Sequence, residues 1–138
     1  MRNTGVNPET NLHTKLLAFI KLANIHLNHF PKHEKYGLCT RIRDCMYDLY
    51  DLVTECNKRY HKKTSLTTLD IKHEQLRMQF KLAHELGYYN YKNSQNQYSE
   101  KEANRRYLAI NTMVDEIGAM IGGWLIKEKL KEKLGEGN

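Results

Sequence analysis

LCTRIRDCMYDLYDLVTECNKRY, residues 38–60, decides the fold. Leu38, Ile42, Cys45, Leu49, Leu52 and Cys56 step four, three, four, three, four. That spacing lines side chains along one face of an α-helix. A second stripe, Cys39, Met46, Val53 and Tyr60, repeats every seven residues beside the first. Two adjacent apolar stripes mean a helix that packs against more than one neighbour. A strand would alternate with period two, and no segment of the chain does so over a useful length.

The same rhythm extends both ways. Upstream, Asn7 is placed to cap a helix with Pro8 at its first position. Leu16, Ile20, Ala23, Leu27 and Phe30 carry that helix to about residue 29, and Pro31 stops it. Downstream, Thr64 or Ser65 is expected to cap a third helix through Leu66, Leu69, His73, Leu76, Phe80 and Ala83. It closes at Leu86-Gly87-Tyr88, with Gly87 as the left-handed residue. A polar loop, residues 90–98, leads to Ser99 and Glu102, which read as a capping box. Ala103, Tyr107, Ile110, Val114, Ile117, Ile121 and Trp124 then repeat four-three without a break. Beyond Trp124 the pattern weakens into KEKLKEKLGEGN, residues 127–138, expected as a fraying helix or a flexible tail. Helices at about residues 8–29, 32–60, 65–87 and 99–130 predict one domain over residues 1–138. The expected fold is all-α, an antiparallel up-down-up-down four-helix bundle.

Length and charge bound the function. A chain of 138 residues can bury one core. Lys+Arg number 22 against 16 Asp+Glu, a net charge of +6. That excess suits a polyanionic partner, or simply keeps a protein soluble. No apolar run is long enough to span a bilayer, and residues 1–10 hold no signal-peptide core. The expected location is the cytoplasm, with no membrane partner. Cys39, Cys45 and Cys56 are odd in number and lack CxxC spacing, which reads as buried thiols in a reduced compartment.

Sites of chemistry are hard to place. His26, His29 and His33 cluster, but Pro31 parts the last two, and no carboxylate or cysteine completes a zinc spacing. His73 stands alone on a core stripe, expected as a hydrogen-bonded interior or interface histidine. There is no phosphate-cradling glycine loop, nucleophile elbow or HExxH. A diiron bundle would carry inward Glu-x-x-His pairs where these stripes are apolar. No catalytic residue, metal ligand or cofactor is therefore assigned, and the chain is read as a non-enzyme.

Charged rows and small residues say more. Lys58-Arg59-Tyr60-His61-Lys62-Lys63 holds four cations and no acid. Arg77 and Lys81 share a row of the third helix, and Lys127, Lys129, Lys131 and Lys133 crowd the tail. Such clusters bind phosphates through charge and counterion release. Equally, Lys and Arg at a helix C-terminus complement its dipole. Asp44, Asp48, Asp51 and Glu55 form an acidic row, either a solvated face or a surface that meets a basic row of another subunit. Gly118, Gly122 and Gly123 sit inside a periodic helix, where each costs roughly 1 kcal/mol relative to Ala. Their faces would let another backbone approach closely, with Trp124 as an apolar anchor.

Specific stretches are familiar. EIGAMIGGWL, residues 116–125, resembles the C-terminal helix of the accessory variability determinant (Avd) family of diversity-generating retroelements. FPKHEKYGL, residues 30–38, followed by Arg41-Ile42-Arg43, resembles a signature of the wider four-helix-bundle superfamily, which includes proteins encoded in ribosomal RNA intervening sequences. Leu66-Thr67-Thr68-Leu69-Asp70, Leu76-Arg77 and Glu85-Leu86-Gly87-Tyr88 continue the likeness over about residues 12–126. Intervening-sequence proteins usually carry a Ser-Ile-Pro-Ser-Asn-like segment midway. Here Cys45-Met46-Tyr47-Asp48-Leu49-Tyr50 stands in its place, without proline. The Gly-Gly-Trp ending and the Leu-Thr-Thr-Leu-Asp segment favour the Avd branch.

The resemblance implies a homopentameric barrel of bundles with a basic surface. It implies reverse transcriptase and template RNA as partners, in support of mutagenic cDNA synthesis in which template adenines are copied unfaithfully. It transfers no catalytic residue. The candidates for nucleic-acid or polymerase contact are Arg41, Arg43, Lys58, Arg59, Lys62, Lys63, Arg77 and Lys81. Those for the oligomer interface are Asp48, Asp51, Gly118, Gly122 and Trp124. Two other readings stay open: an intervening-sequence-type protein without a polymerase partner, and a structural oligomer whose charge confers solubility or general nucleic-acid binding.

Overall fold

Helix-forming periodicity and helix-breaking residues divide the chain as the structure has it. The computed structural model describes residues 8–135, with side chains from residue 11. Its helices are α1 (Pro8–Leu27), α2 (Leu38–Lys58), α3 (Lys63–Glu85) and α4 (Glu100–Lys133), with one 3₁₀ turn at Lys32–Glu34. No strand occurs among the described residues. Among the described residues, no helix is long and apolar enough to cross a membrane.

Each helix packs on its sequence neighbours, and α4 closes against α1, with no backbone approach across the diagonal among the described residues. Neighbours run antiparallel. His13 near the start of α1 meets Tyr50 late in α2, while the Cys39 thiol reaches the Leu27 carbonyl at the other end. Lys63, first in α3, pairs with Glu132 near the end of α4. The enclosed space is filled by the four-three stripes, among them Leu16, Ile42, Leu49, Leu69, Phe80, Ile117 and Trp124, except that on α1 the stripe runs through Phe19, and the expected Ile20 is only half-buried. Phe19 and Phe80 meet edge to face at 5.7 Å across the centre. All three cysteines are free and buried.

The ends differ from the sequence reading in ways that have local causes. The expected cap Asn7 lies outside the described residues. The second helix starts at Leu38 and not near residue 32. Pro31 is extended, and the chain makes a 3₁₀ turn before Gly37. Glu34 Oε1 then accepts the Leu38 N–H at 3.1 Å and satisfies an orphan donor of α2. A Cβ at Gly37 would meet that oxygen at 2.6 Å, so this cap needs glycine. Tyr60 lies beyond the end of α2 and is exposed, so the seven-residue stripe stops at Val53.

Neither Thr64 nor Ser65 caps α3. The helix opens two residues early at Lys63, and Ser65 Oγ donates to Glu55 Oε2 on α2. Gly87 adopts φ +80°, with Tyr88 N–H bonded to Ala83 O and Gly87 N–H to His84 O, the expected left-handed ending. Only half of the capping box forms. Ser99 Oγ accepts the Glu102 N–H, but the Glu102 carboxylate turns to Asn93 and Arg106. The tail is helical as far as Lys133. Glu, Lys and Leu are strong helix formers, and Glu128–Lys131 and Lys63–Glu132 hold this turn in place.

Candidate nucleic-acid interface

Antiparallel packing brings two basic runs together. Lys58 ends α2, Lys63 begins α3, and Lys63 Nζ lies 3.7 Å from Glu132 of α4. Lys58, Arg59, Lys62 and Lys63 therefore share one end of the bundle with Lys127, Lys129, Lys131 and Lys133. Carboxylates are few here: Glu128 and Glu132 within the second run, and Glu55 one turn before the first. Arg59 reaches Glu55 at 3.4 Å, and both side chains are about half exposed. Exposed pairs of this kind are worth about 0–1 kcal/mol, so a phosphate can replace the carboxylate cheaply. Lys58 is exposed and makes no ion pair among the described residues. This end presents a diffuse positive field, suited to a polyanion held by charge and not by sequence.

Lys62 does something else. Its ammonium donates to the carbonyls of Cys56, Asn57 and, at 2.6 Å, Arg59. It caps the C-terminus of α2 and complements the helix dipole. The two readings of the 58–63 run thus divide by residue, with Lys62 taking the structural one.

The remaining four cations are not brought to this end. Arg43 is clipped to α1, Nε to Asn24 Oδ1 at 2.9 Å and Nη2 to Asn28 Oδ1 at 2.8 Å. Arg41 is exposed beside it, at the opposite end of α2 from Lys58. Arg77 grips Glu74 with two nitrogens, Nε at 3.0 Å, and lies within the field of Asp115 on α4. Lys81 is exposed one turn on. The eight candidates form three separate groups.

The interface candidates also divide. Asp48 pairs with Lys72 at 3.2 Å within the chain, while Asp51 is exposed. Trp124 is 1% exposed and belongs to the chain's own core, because it continues the inward stripe of Ile117 and Ile121. Gly118 faces His73: a Cβ there would meet the imidazole Cε1 at 2.6 Å. The close approach it permits is that of α3 on α4. His73 is buried as expected, its Nε2 2.8 Å from the Val114 carbonyl. Gly122 has open space where a side chain would stand, and of the glycine and tryptophan candidates it alone still faces outward.

A cluster that the spacing did not single out lies at the other end. His29 stacks on Tyr91 with ring centres 4.4 Å apart and planes 8° from parallel. The Arg106 guanidinium carbon stands 3.7 Å from the same ring centre. Two groups this near one ring cannot share a face, so Tyr91 is sandwiched between them. Arg106 is held by the Tyr89 and Tyr91 carbonyls at 2.8 and 2.9 Å and by Glu102 at 3.3 Å. His26 is buried, and its Nδ1 lies 2.7 Å from the Tyr91 hydroxyl. Burial, then the charge of Arg106, then His29 lower the His26 pKa below the ordinary 6.5. Burial likewise raises the Tyr91 phenol, against the pull of Arg106. The sequence signals were present: the Tyr88-Tyr89-Asn90-Tyr91 run and the Arg105-Arg106 pair. Neither has a periodicity that marks it as functional.

Among the described residues, no group of three or more His, Cys, Asp or Glu is placed to hold a metal ion. A family model described as bAvd-like matches residues 12–128. The match covers α1 from Leu12 through most of α4 and stops short of Lys129, Lys131 and Lys133. No curated protein and no solved structure matches the chain.

Proposed function

As the chain belongs to the bAvd-like family, we propose that it is a non-catalytic accessory protein of a diversity-generating retroelement. In this reading it binds reverse transcriptase and template RNA through its basic surface, as a homopentamer, and supports mutagenic cDNA synthesis. The observation that carries the nucleic-acid part is the meeting of two sequence-distant basic runs at one end of the bundle. Neither run alone is long. Together they form a broad cationic surface with few carboxylates.

The test leaves Lys62 in place, because that residue caps α2. Lys58, Arg59 and Lys63 are replaced together by Ala, and affinity for a template-length RNA is measured across about 50–200 mM salt. Each lost phosphate contact should lower the slope of log affinity against log salt by roughly 0.7 for single strands. A triple variant with unaltered affinity and slope overturns the assignment of this end. Mass by light scattering tests the pentamer, and co-purification with a diversity-generating retroelement reverse transcriptase tests that partnership.

A further inference from the structure

We propose that the groove between the end of α1 and the start of α2 docks an acidic segment of a partner protein, with one aliphatic side chain of that segment seated in it. Under the reading above the partner is the reverse transcriptase, and the inference rests on that reading for the partner's identity alone. The groove has a volume of about 250 Å³. Leu27, Phe30 and Cys39 are buried and form its floor, beside the half-buried Pro31 ring. Lys32, Lys35 and Arg43 stand round it, and no carboxylate lines it.

Charge selects the sign of the ligand. Lys32 and Lys35 are exposed and make no ion pair among the described residues. Arg43 is held by the side-chain amides of Asn24 and Asn28, so its charge is oriented but not cancelled. Glu34 lies between the two lysines in sequence, yet its carboxylate serves the Leu38 N–H and the Tyr88 hydroxyl. Three like charges round one small groove suit acids brought by another molecule. Shape and floor then select the class. The volume is below the roughly 300–1,000 Å³ of a small-molecule site and suits a single anchoring side chain. An unpaired base would need an open aromatic face to stack on. Phe30 is 6% exposed and packed by Tyr88 and Tyr89, so its ring offers none. Phosphates of a strand would use the cations and leave the apolar floor empty. An apolar pit within a charged rim is instead the anatomy of a protein interface, where the anchor supplies affinity and the rim supplies on-rate and choice of partner.

The probe is a short, end-capped, fluorescein-labelled peptide with one leucine flanked on both sides by glutamates, read by fluorescence anisotropy against the full chain. Alanine in place of that leucine should weaken binding roughly 4- to 60-fold, at about fourfold per buried carbon. The double variant Lys32→Glu with Lys35→Glu should weaken it at least about 4-fold, and the loss should shrink as salt rises. Both lysines are exposed, so its circular dichroism should match wild type. The Lys58/Arg59/Lys63 triple variant should leave the probe unaffected. A probe that does not bind, or that binds equally with leucine and with alanine, overturns the proposal. So does a single-stranded RNA that loses more affinity than the probe to the double variant, because the groove then serves nucleic acid. If the probe behaves as expected but a diversity-generating retroelement reverse transcriptase does not co-purify with the wild-type chain, the groove is upheld and that partnership fails. If the polymerase co-purifies equally with wild type and the double variant, the partnership stands and the groove is overturned as its docking site.

Discussion

Gly118→Ala sets two effects against each other. In an ordinary helix interior, replacing Gly by Ala stabilises by roughly 0.5–1 kcal/mol. At Gly118 the new Cβ would stand 2.6 Å from His73 Cε1 and 2.9 Å from Nε2. A flexible side chain could swing away, but His73 is 8% exposed and bonded to the Val114 carbonyl. Moving the ring loses that bond and leaves a buried polar group unpaired, at about 1–3 kcal/mol. Overpacking adds about 1–3 kcal/mol. The net expectation is a destabilisation of roughly 1–5 kcal/mol after the helix gain is subtracted. Urea denaturation followed by circular dichroism reads this directly, with Gly122→Ala as control. Nothing lies within 4 Å of a Cβ at Gly122, so that variant should gain up to about 1 kcal/mol. A second arm combines Gly118→Ala with His73→Ala, which should remove most of the penalty because the clashing ring is gone. If Gly118→Ala is as stable as Gly122→Ala, the reasoning is refuted.

Two further expectations follow from the same contacts. Lys62→Ala should lower stability by about 1 kcal/mol, because the last carbonyls of α2 lose a charged donor. Lys58→Ala should stay within about 0.5 kcal/mol of wild type in the same urea series; equal losses for the two would sink the capping role of Lys62. His26 gives stability a pH dependence. Its folded pKa is depressed, so above the ordinary 6.5 both states hold it neutral and its contribution is fully present. As pH falls below 6.5 the unfolded chain takes up the proton first, and the folded state is progressively disfavoured until the folded pKa is passed. Stability measured between pH 8 and 5 should fall more steeply for wild type than for His26→Phe. A slope unchanged by that substitution would show that His26 does not carry it.

Burial was legible because it follows period. The stripes of residues 38–56, 66–83 and 103–124 predicted the buried faces, with Leu52 and Tyr107 half-buried at their margins. Helix ends were less legible, because each is fixed by a contact between segments. Ser65 reads as a cap, yet Glu55 across the turn offers it a better acceptor. The start of α2 depends on Glu34 reaching forward to Leu38 and on the Tyr88 hydroxyl bonded to its other oxygen. Those two bonds, Tyr88 first, hold Glu34 below the ordinary carboxylate range and keep it an acceptor. The glycine signal was legible as a close approach but not as to its partner. Gly118 serves His73 of the same chain, and no spacing within α4 could say so.

Surface charge was the least legible feature, for a reason that bears on function. A cation's role depends on what the fold sets beside it. Lys62 and Arg43 are taken by neutral acceptors, and Arg59, Lys63 and Arg77 by carboxylates. Arg41, Lys58 and Lys81 have no ion pair among the described residues, and they lie on three different parts of the bundle. Of the eight candidates, a single copy therefore offers one cation without an ion pair in each place, and Lys58 stands with the exposed Lys129 and Lys133 of the tail. Polyanion affinity grows with the number of phosphates neutralised at once. An assembly of copies would multiply the Lys58 ends available to one strand and make each contact after the first intramolecular, which raises avidity without new kinds of contact. Under the proposed reading, assembly is a condition of tight RNA binding, and the two outward faces that carry Gly122 on α4 and Asp51 on α2 matter to function even if neither touches RNA.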